Sequence, residues 1–440
     1  IDDQGSSGRS DPTLNPYGRI YGPPEVSSDS VPWVDPVANT TGFLELEVLD
    51  PNTPTTADLP IFAPSPYWGM EKIWDSQGNP RHAMFDDKGR MWITTRVRGD
   101  ENPAFCREGS NNPSAQAFPL YESTRQLAYY EMDSDELTLI DTCFTTHHLY
   151  IDDNNVMWFS GDPATAAWLD LDMLDTTGDA EAAQGWTPIV LDTNGNGVRD
   201  AYVEPDAPVN PELDKRMPEG GYAVAVNPVD GSIWGTVQGF PGSIIRTDPA
   251  STLSEIYDLP AYDETMPGYA PRGIDVNSEG IVWVSLISGH LGRFDRSRCT
   301  VLNGPTATGA HCPEGWTLYP FPGPQFKGVE DVGSAEGGYY TYIDRANAFG
   351  LGNDIPCNTA NLSDALVCLV DDEFVKLRVP YPMGFYAKAL DARIDDPNIG
   401  WKGRGIWSGF SGRPVHHIEG GQGQTSKVVH FQLRPDPLAH

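Results

Sequence analysis

Hydrophobic residues in this chain come in short runs, and the runs return in a fixed order. The clearest case is residues 272–295, RGIDVNSEGIVWVSLISGHLGRFD. Three runs, 273–276, 281–286 and 290–294, are rich in Val, Ile and aromatic residues, and are split by Ser278-Glu279-Gly280 and Ser288-Gly289. Each is too short for a helix, and glycine-bearing breaks between β-type runs predict tight hairpin turns. Such a meander cannot bury its own apolar faces, so it needs neighbours of the same kind.

The chain supplies them. A first copy begins at Arg81 (RHAMFDDKGRMWITTR), a second at His147 (HHLYIDDNNVMWFSGD) and a third at Gly221 (GYAVAVNPVDGSIWGTVQ). The fifth copy, YYTYIDR from Tyr339, lacks the Trp that follows in the others; the sixth carries FYAKALDARI, GIWSGF and a final KVVHFQLRP. Trp92, Trp158, Trp234, Trp283 and Trp407 hold the same place in the second strand of their copies, a packing position between adjacent sheets. The repeat is longer than the roughly 40–50 residues of compact blades, so loops are inserted. Four-stranded sheets set radially around an axis satisfy this pattern, which predicts an all-β propeller with six readable blades and room for a seventh. The sixth copy shows only three strands. Its fourth is expected from the N-terminal part, either 43–49 or 71–74, closing the ring. Residues 1–42, dominated by Gly, Ser, Asp, Pro and Asn, read as a tail or surface strap, and 43–440 as one propeller domain with a loop inserted at 192–204.

The pattern G-I-D-V-x-x-x-G-x-V-W-V followed by G-x-L-G-R-F-D resembles the repeat of streptogramin B lyase-like propellers, and more distantly that of the NHL and SMP-30/gluconolactonase groups. The resemblance spans residues 81–434 and implies a propeller. In the lyases, a W-F-T-E ending of certain blades and nearby His supply a magnesium-dependent active site. The corresponding endings here are Thr94-Thr95-Arg96, Phe159-Ser160-Gly161, Gly235-Thr236-Val237 and Val284-Ser285-Leu286, which carry no glutamate.

In a propeller the first strand of each blade lines the axis, and the residues that begin it face the funnel. Those positions hold Arg81 and His82, His147 and His148, Tyr222, Arg272, Tyr339 and Tyr340, and Tyr386 and Lys388. Aliphatic residues would suffice for packing. His82 and His148, with His147 beside them, fit acid–base groups or ligands of a second divalent or transition metal. Arg272 and Lys388 fit an anionic or carbonyl oxygen, and Tyr340 a ring or a hydrogen bond. His290, His416 and His417 stand behind these as weaker candidates.

A separate signal is Asp192-Thr-Asn194-Gly-Asn196-Gly-Val198-Arg-Asp200. Oxygen-bearing side chains at alternate positions, a bend at Gly197 and the Val198 carbonyl can wrap a structural Ca2+, as in EF-hand-like loops. The twelfth position is Val203, so Glu204 is the expected last ligand. GxxxxGK[ST], HExxH and GxSxG are missing, which removes nucleotide, zincin and serine-hydrolase readings.

Composition narrows the choice. The formal charge of −33 over 440 residues argues against nucleic acid and anionic membrane as partners. No apolar run approaches the roughly 20 residues that cross a bilayer. The start of the chain lacks a basic and apolar leader and reads as a mature form. Six cysteines without a CxxC indicate disulfides and a periplasmic or extracellular protein. Short closures favour Cys299–Cys312 and Cys357–Cys368, leaving Cys106–Cys143. Two functions remain: a secreted or periplasmic enzyme, metal-assisted and lyase-like, hydrolytic or redox, acting on a small aromatic or cyclic molecule in the funnel; or a binding propeller made durable by calcium and disulfides.

Overall fold

The computed structural model describes residues 3–58, 69–71, 74–161, 164–260, 268–325, 334–380, 383–410 and 427–435. The repeats form the six blades of a β-propeller. Blade 1 is Ala83–Phe85, Met91–Thr95, Gln126–Glu131 and Glu136–Ile140; blade 2 is His148–Ile151, Val156–Ser160, Thr165–Asp170 and Gln184–Pro188. Blade 3 contains Val224–Val226, Ile233–Val237, Ser243–Thr247 and Ser254–Asp258, and blade 4 Pro271–Val276, Val282–Leu286, His290–Phe294 and Trp316–Pro320. Blade 5 is Gly338–Asp344, Ile355–Ala360, Ala365–Val370 and Glu373–Arg378; blade 6 is Leu390–Ile394, Arg404–Phe410 and Lys427–Phe431. Neighbouring strands within each blade are antiparallel and follow chain order. Blade 3 is widened on its outer edge by Val190–Leu191, Asp214–Arg216 and Tyr202–Val203.

Register explains why the repeat works. Trp92, Trp158, Trp234, Trp283 and Trp407 each sit opposite one residue of the first strand: Met84, Tyr150, Ala225, Asp275 and Asp391. All five indoles are buried. In the first two copies the turn aspartate fixes the indole, Asp86 accepting from Trp92 Nε1 at 2.7 Å and Asp152 from Trp158 Nε1 at 2.9 Å. Blade 5 places Cys357 where the others have Trp, and Cys357 is bonded to Cys368 directly across the next strand pair. The other disulfides are Cys106–Cys143 and Cys299–Cys312, so all three expected pairings form.

Successive blades are latched by a hydroxyl two residues after the Trp. Thr94, Ser160, Thr236 and Ser285 donate to the carbonyls of His147, Tyr222, Arg272 and Tyr339 in the next blade, at 3.4, 2.7, 2.7 and 2.8 Å. A hydroxyl that joins two blades cannot be exchanged for an apolar group without leaving a carbonyl unpaired.

The N-terminal part departs from expectation. The start of the expected strap is buried, at Asp3, Gln4, Ser6, Ser7 and Arg9, whereas residues 32–42 are half-buried or exposed. Ile20–Tyr21, Ser30–Asp35 and Thr40–Glu45 form a sheet of their own, joined through Tyr21 to Gly5, and the last of these strands crosses the expected boundary at 42/43. Residues 43–45 therefore pair within this sheet, and among the described residues Lys427–Phe431 pairs only with Arg404–Phe410. Of 71–74, Glu71 and Trp74 lie in no strand and the two between are outside the described residues. The segment before this sheet, residues 7–12, bridges blade 6 and blade 1. Ile394 N–H donates to the Pro12 carbonyl on the blade 6 side, and Phe85 N–H to the Ser7 carbonyl on the blade 1 side. The sequence hides this because residues 3–12 are held by polar contacts and show no hydrophobic period.

Candidate functional site

Counting back three residues from the Trp-paired position places Arg81, His147, Tyr222, Arg272, Tyr339 and Lys388 in equivalent places at the channel mouth. The fold brings them together. Tyr222 Oη and Tyr339 Oη are 2.8 Å apart, and Arg81 Nη2 donates to Tyr222 Oη at 3.0 Å. The Arg272 guanidinium lies over both rings, 5.3 Å from the centroid of Tyr222 and 5.2 Å from that of Tyr339. The His147 ring is 4.8 Å from Tyr222.

One step deeper are His82, His148 and Tyr340. The His82 and His148 rings are 5.3 Å apart, and His148 and Tyr340 5.0 Å. Gly273 makes room for Tyr340, because a Cβ there would approach the Tyr340 Cα to 2.6 Å. His82 Nδ1 accepts the Leu149 N–H at 3.0 Å, so its proton is on Nε2, which faces Asp3 at 4.0 Å without a hydrogen bond. His148 Nδ1 donates to the Tyr222 carbonyl at 2.8 Å, leaving the Nε2 lone pair available. Of this pair, only His148 has a ring nitrogen to offer a cation. His147 Nε2 is buried and without a partner.

All three histidines are neutral at neutral pH. Burial, then Arg9 and Arg81, pushes His82 down to about 3. Burial and Arg81 hold His147 and His148 well below the usual histidine value. Burial also raises Tyr222, to about 12.

Sequence reasoning missed the groups that neutralise the mouth. Glu25, buried and at φ +50°, bonds Arg81 at 2.6 Å and Lys388 at 2.8 Å. Lys388 is therefore tied to a carboxylate, while Arg272 has no carboxylate partner among the described residues. Arg9 enters the channel from the N-terminal segment, 3.4 Å from Asp275 and 3.2 Å from Asp391. Nothing in the spacing of Glu25 or Arg9 marks them; only their isolation among small and polar residues does. His82, His148, Tyr340 and Lys388 are buried, whereas His147, Tyr222, Arg272 and Tyr339 are half-buried and make up the reachable surface. His290 is buried on blade 4 beside Ser288, away from this ring; His416 and His417 lie outside the described residues.

The magnesium site implied by the lyase resemblance does not fit these residues. Three residues after the Trp, where it would need glutamates, stand Thr95, Gly161, Val237 and Leu286, and the residue before each spends its hydroxyl on a blade latch. Among the described residues no three His, Cys, Asp or Glu side chains are grouped as a ready-made metal cage. In the 192–204 loop, Asp192 accepts from Gly195 N at 2.7 Å and Gly197 N at 2.8 Å, while Asn194 and Asn196 turn their amides to Asp200. Glu204 points elsewhere, to Arg216, so the expected last ligand is not in place: Val203 ends a strand and carries Glu204 to the outer edge.

No protein-family profile matches the chain, and no curated protein matches it. Solved structures do. A streptogramin B lyase structure is 12% identical, with 91% of this chain and 92% of that one covered at a TM-score of 0.47. Virginiamycin B lyase from Staphylococcus aureus is 10% identical over 86% of this chain and 84% of its own, at 0.42. Hydrazine synthase of Kuenenia stuttgartiensis is 9% identical over 95% and 94%, at 0.48.

Proposed function

We propose that this propeller is a periplasmic or extracellular enzyme acting on a small organic molecule at the funnel mouth. Arg272 holds an anionic or carbonyl oxygen of that molecule, Tyr222 and Tyr339 contact a ring, and neutral His147 accepts a proton. The carrying observation is Arg272, a half-buried guanidinium framed by two tyrosines and lacking a carboxylate among the described residues, while Arg81 and Lys388 share Glu25. An anion brought there meets a fixed positive charge that needs no rearrangement. His147 supports the proton step because its ring is uncharged, half-buried at the mouth and beside Tyr222. The three disulfides support an oxidising compartment.

A second reading is a binding propeller without turnover. It is favoured by the burial of His82 and His148, which removes two of the candidate acid–base groups from reach.

The test uses benzoate as a probe of the full chain by titration calorimetry. Binding by the wild type that weakens about tenfold or more in Arg272→Gln is expected. Benzoate that fails to bind, or binds Arg272→Gln equally well, overturns the mouth site. For any small carboxylate that is turned over, His147→Gln is expected to lower kcat about a hundredfold at nearly constant KM. Binding with no turnover in a carboxylate panel favours the second reading.

A further inference from the structure

Away from the mouth, the outer edge of blade 3 brings two carboxylates face to face. Leu191 pairs with Lys215 and Val190 with Arg216 in antiparallel register, which sets Asp192 opposite Asp214 one step further on. Both side chains are buried, at 6% and 0% exposure. Asp214 Oδ2 accepts the Asp200 N–H at 2.8 Å, so the carboxylate is directed at the loop; its Oδ1 is buried with no partner. Like charges directly opposite in adjacent strands repel, and a buried carboxylate oxygen without a partner costs more.

Of the basic side chains nearby, Arg199 acts on Asp214 through its charge alone, without a hydrogen bond. Arg199 is spent on the carbonyls of Pro188 and Thr252, Lys215 on those of Pro205 and Ala207, and Arg216 on Glu204. Asp192 is met by nitrogen donors, the N–H groups of Gly195, Asn196 and Gly197 and the Asn303 amide, which leaves Asp214 Oδ1 as the unpartnered oxygen of the pair. Asn194 and Asn196 present their amide nitrogens to Asp200, while their amide oxygens accept the N–H groups of Asn196 and Val198 and each keep a second lone pair. The Val198 carbonyl completes the loop's own donors.

We propose that Asp214, not Glu204, completes a calcium site in the 192–200 loop, so that the ion ties this loop to strand Asp214–Arg216 of blade 3. The donors are oxygens only, with no Cys or His, and are drawn from a glycine-bearing loop that can take several ligands around one ion. That set suits a hard cation with six to eight ligands, calcium before magnesium or a transition metal. The site is separate from the mouth and does not depend on the function proposed there.

The experiment titrates the full chain, freed of divalent ions with EDTA and dialysed, with CaCl2 and with MgCl2 by calorimetry. Hydrogen exchange is followed in parallel. One calcium is expected to bind, magnesium more weakly, and calcium is expected to slow exchange at residues 202–203 and 214–216. Asp214→Asn, which keeps an oxygen for the Asp200 N–H, should weaken calcium about tenfold or more, while Glu204→Gln stays within about twofold. A wild type that takes up no calcium overturns the site. Equal binding by wild type and Asp214→Asn overturns the role of Asp214, as does calcium binding that leaves exchange at 214–216 unchanged. If Asp214→Asn fails to fold, the Glu204→Gln titration and the exchange data on wild type decide.

Discussion

Arg9 and Asp391 are 382 positions apart in the chain, and their side chains meet at 3.2 Å inside the channel. The same guanidinium reaches Asp275 at 3.4 Å, bonds the Thr341 carbonyl and lies 5.7 Å from the rings of Tyr340 and Tyr342. One residue from the N-terminal segment thus joins the first strands of blades 4, 5 and 6. Gln4 adds a bond to the other oxygen of Asp391 at 2.8 Å.

Arg9→Met is expected to destabilise the protein by about 3–5 kcal/mol, because it strands two carboxylates in a site closed to water. Adding Asp391→Asn should recover part of that loss, since one of the two stranded charges is gone. Urea unfolding measures both. Wild-type stability in Arg9→Met would mean that residues 3–12 are not held in the channel.

The propeller was legible because each copy repeats a physical requirement. A Trp two residues into the second strand fills the gap between sheets, so Trp92 through Trp407 report blade after blade. Cys357 shows where the signal breaks down: a cross-strand disulfide takes the Trp position, and a search for Trp sees only an irregular copy. The mouth was legible for the same reason, since Arg81, His147 and Arg272 share a register. Glu25 and Asp214 were not. Glu25 meets Lys388 363 positions away and Asp214 meets Asp200 14 positions away, and no repeat register fixes either spacing.

Acid should act on the buried histidines with a definite sign. Burial pushes His82 down to about 3 in the folded protein from an ordinary value of about 6.5. As pH falls through that window the unfolded chain takes up the proton first, so the stability due to neutral His82 is present above about 6.5 and lost on the way to 3. Asp391 works the other way. Burial, opposed by Arg9 and reinforced by Asp275, raises it to about 7, so acidification from 7 towards the ordinary carboxylate range favours the folded form. His82→Gln is therefore expected to be less acid-sensitive than wild type, the gap between them closing by about 1.4 kcal/mol per pH unit below 6.5. Asp391→Asn should move in the opposite sense between about 7 and 4. Parallel curves for wild type and His82→Gln, from urea unfolding at stepped pH, would remove the buried neutral histidine from the account.

The blade latches carry the last expectation. Ser160 Oγ donates to the Tyr222 carbonyl at 2.7 Å and receives the His148 N–H at 3.2 Å, joining blade 2 to blade 3 directly beneath the mouth. Ser160→Ala removes both bonds in a buried place, which is worth about 1–3 kcal/mol. Ser160→Thr keeps the hydroxyl, and Thr94 and Thr236 already hold the equivalent positions in blades 1 and 3, so the added methyl has precedent in the repeat. The Thr variant is expected within about 0.5 kcal/mol of wild type. Because the Tyr222 carbonyl also takes the His148 Nδ1 proton, losing the Ser160 hydroxyl leaves the imidazole as that carbonyl's one side-chain donor. Ser160→Ala should then loosen Tyr222 against Tyr339, seen as faster ring flipping by NMR. An alanine variant as stable as wild type, with the Tyr222 ring unchanged, would show that packing between blades suffices without the latch.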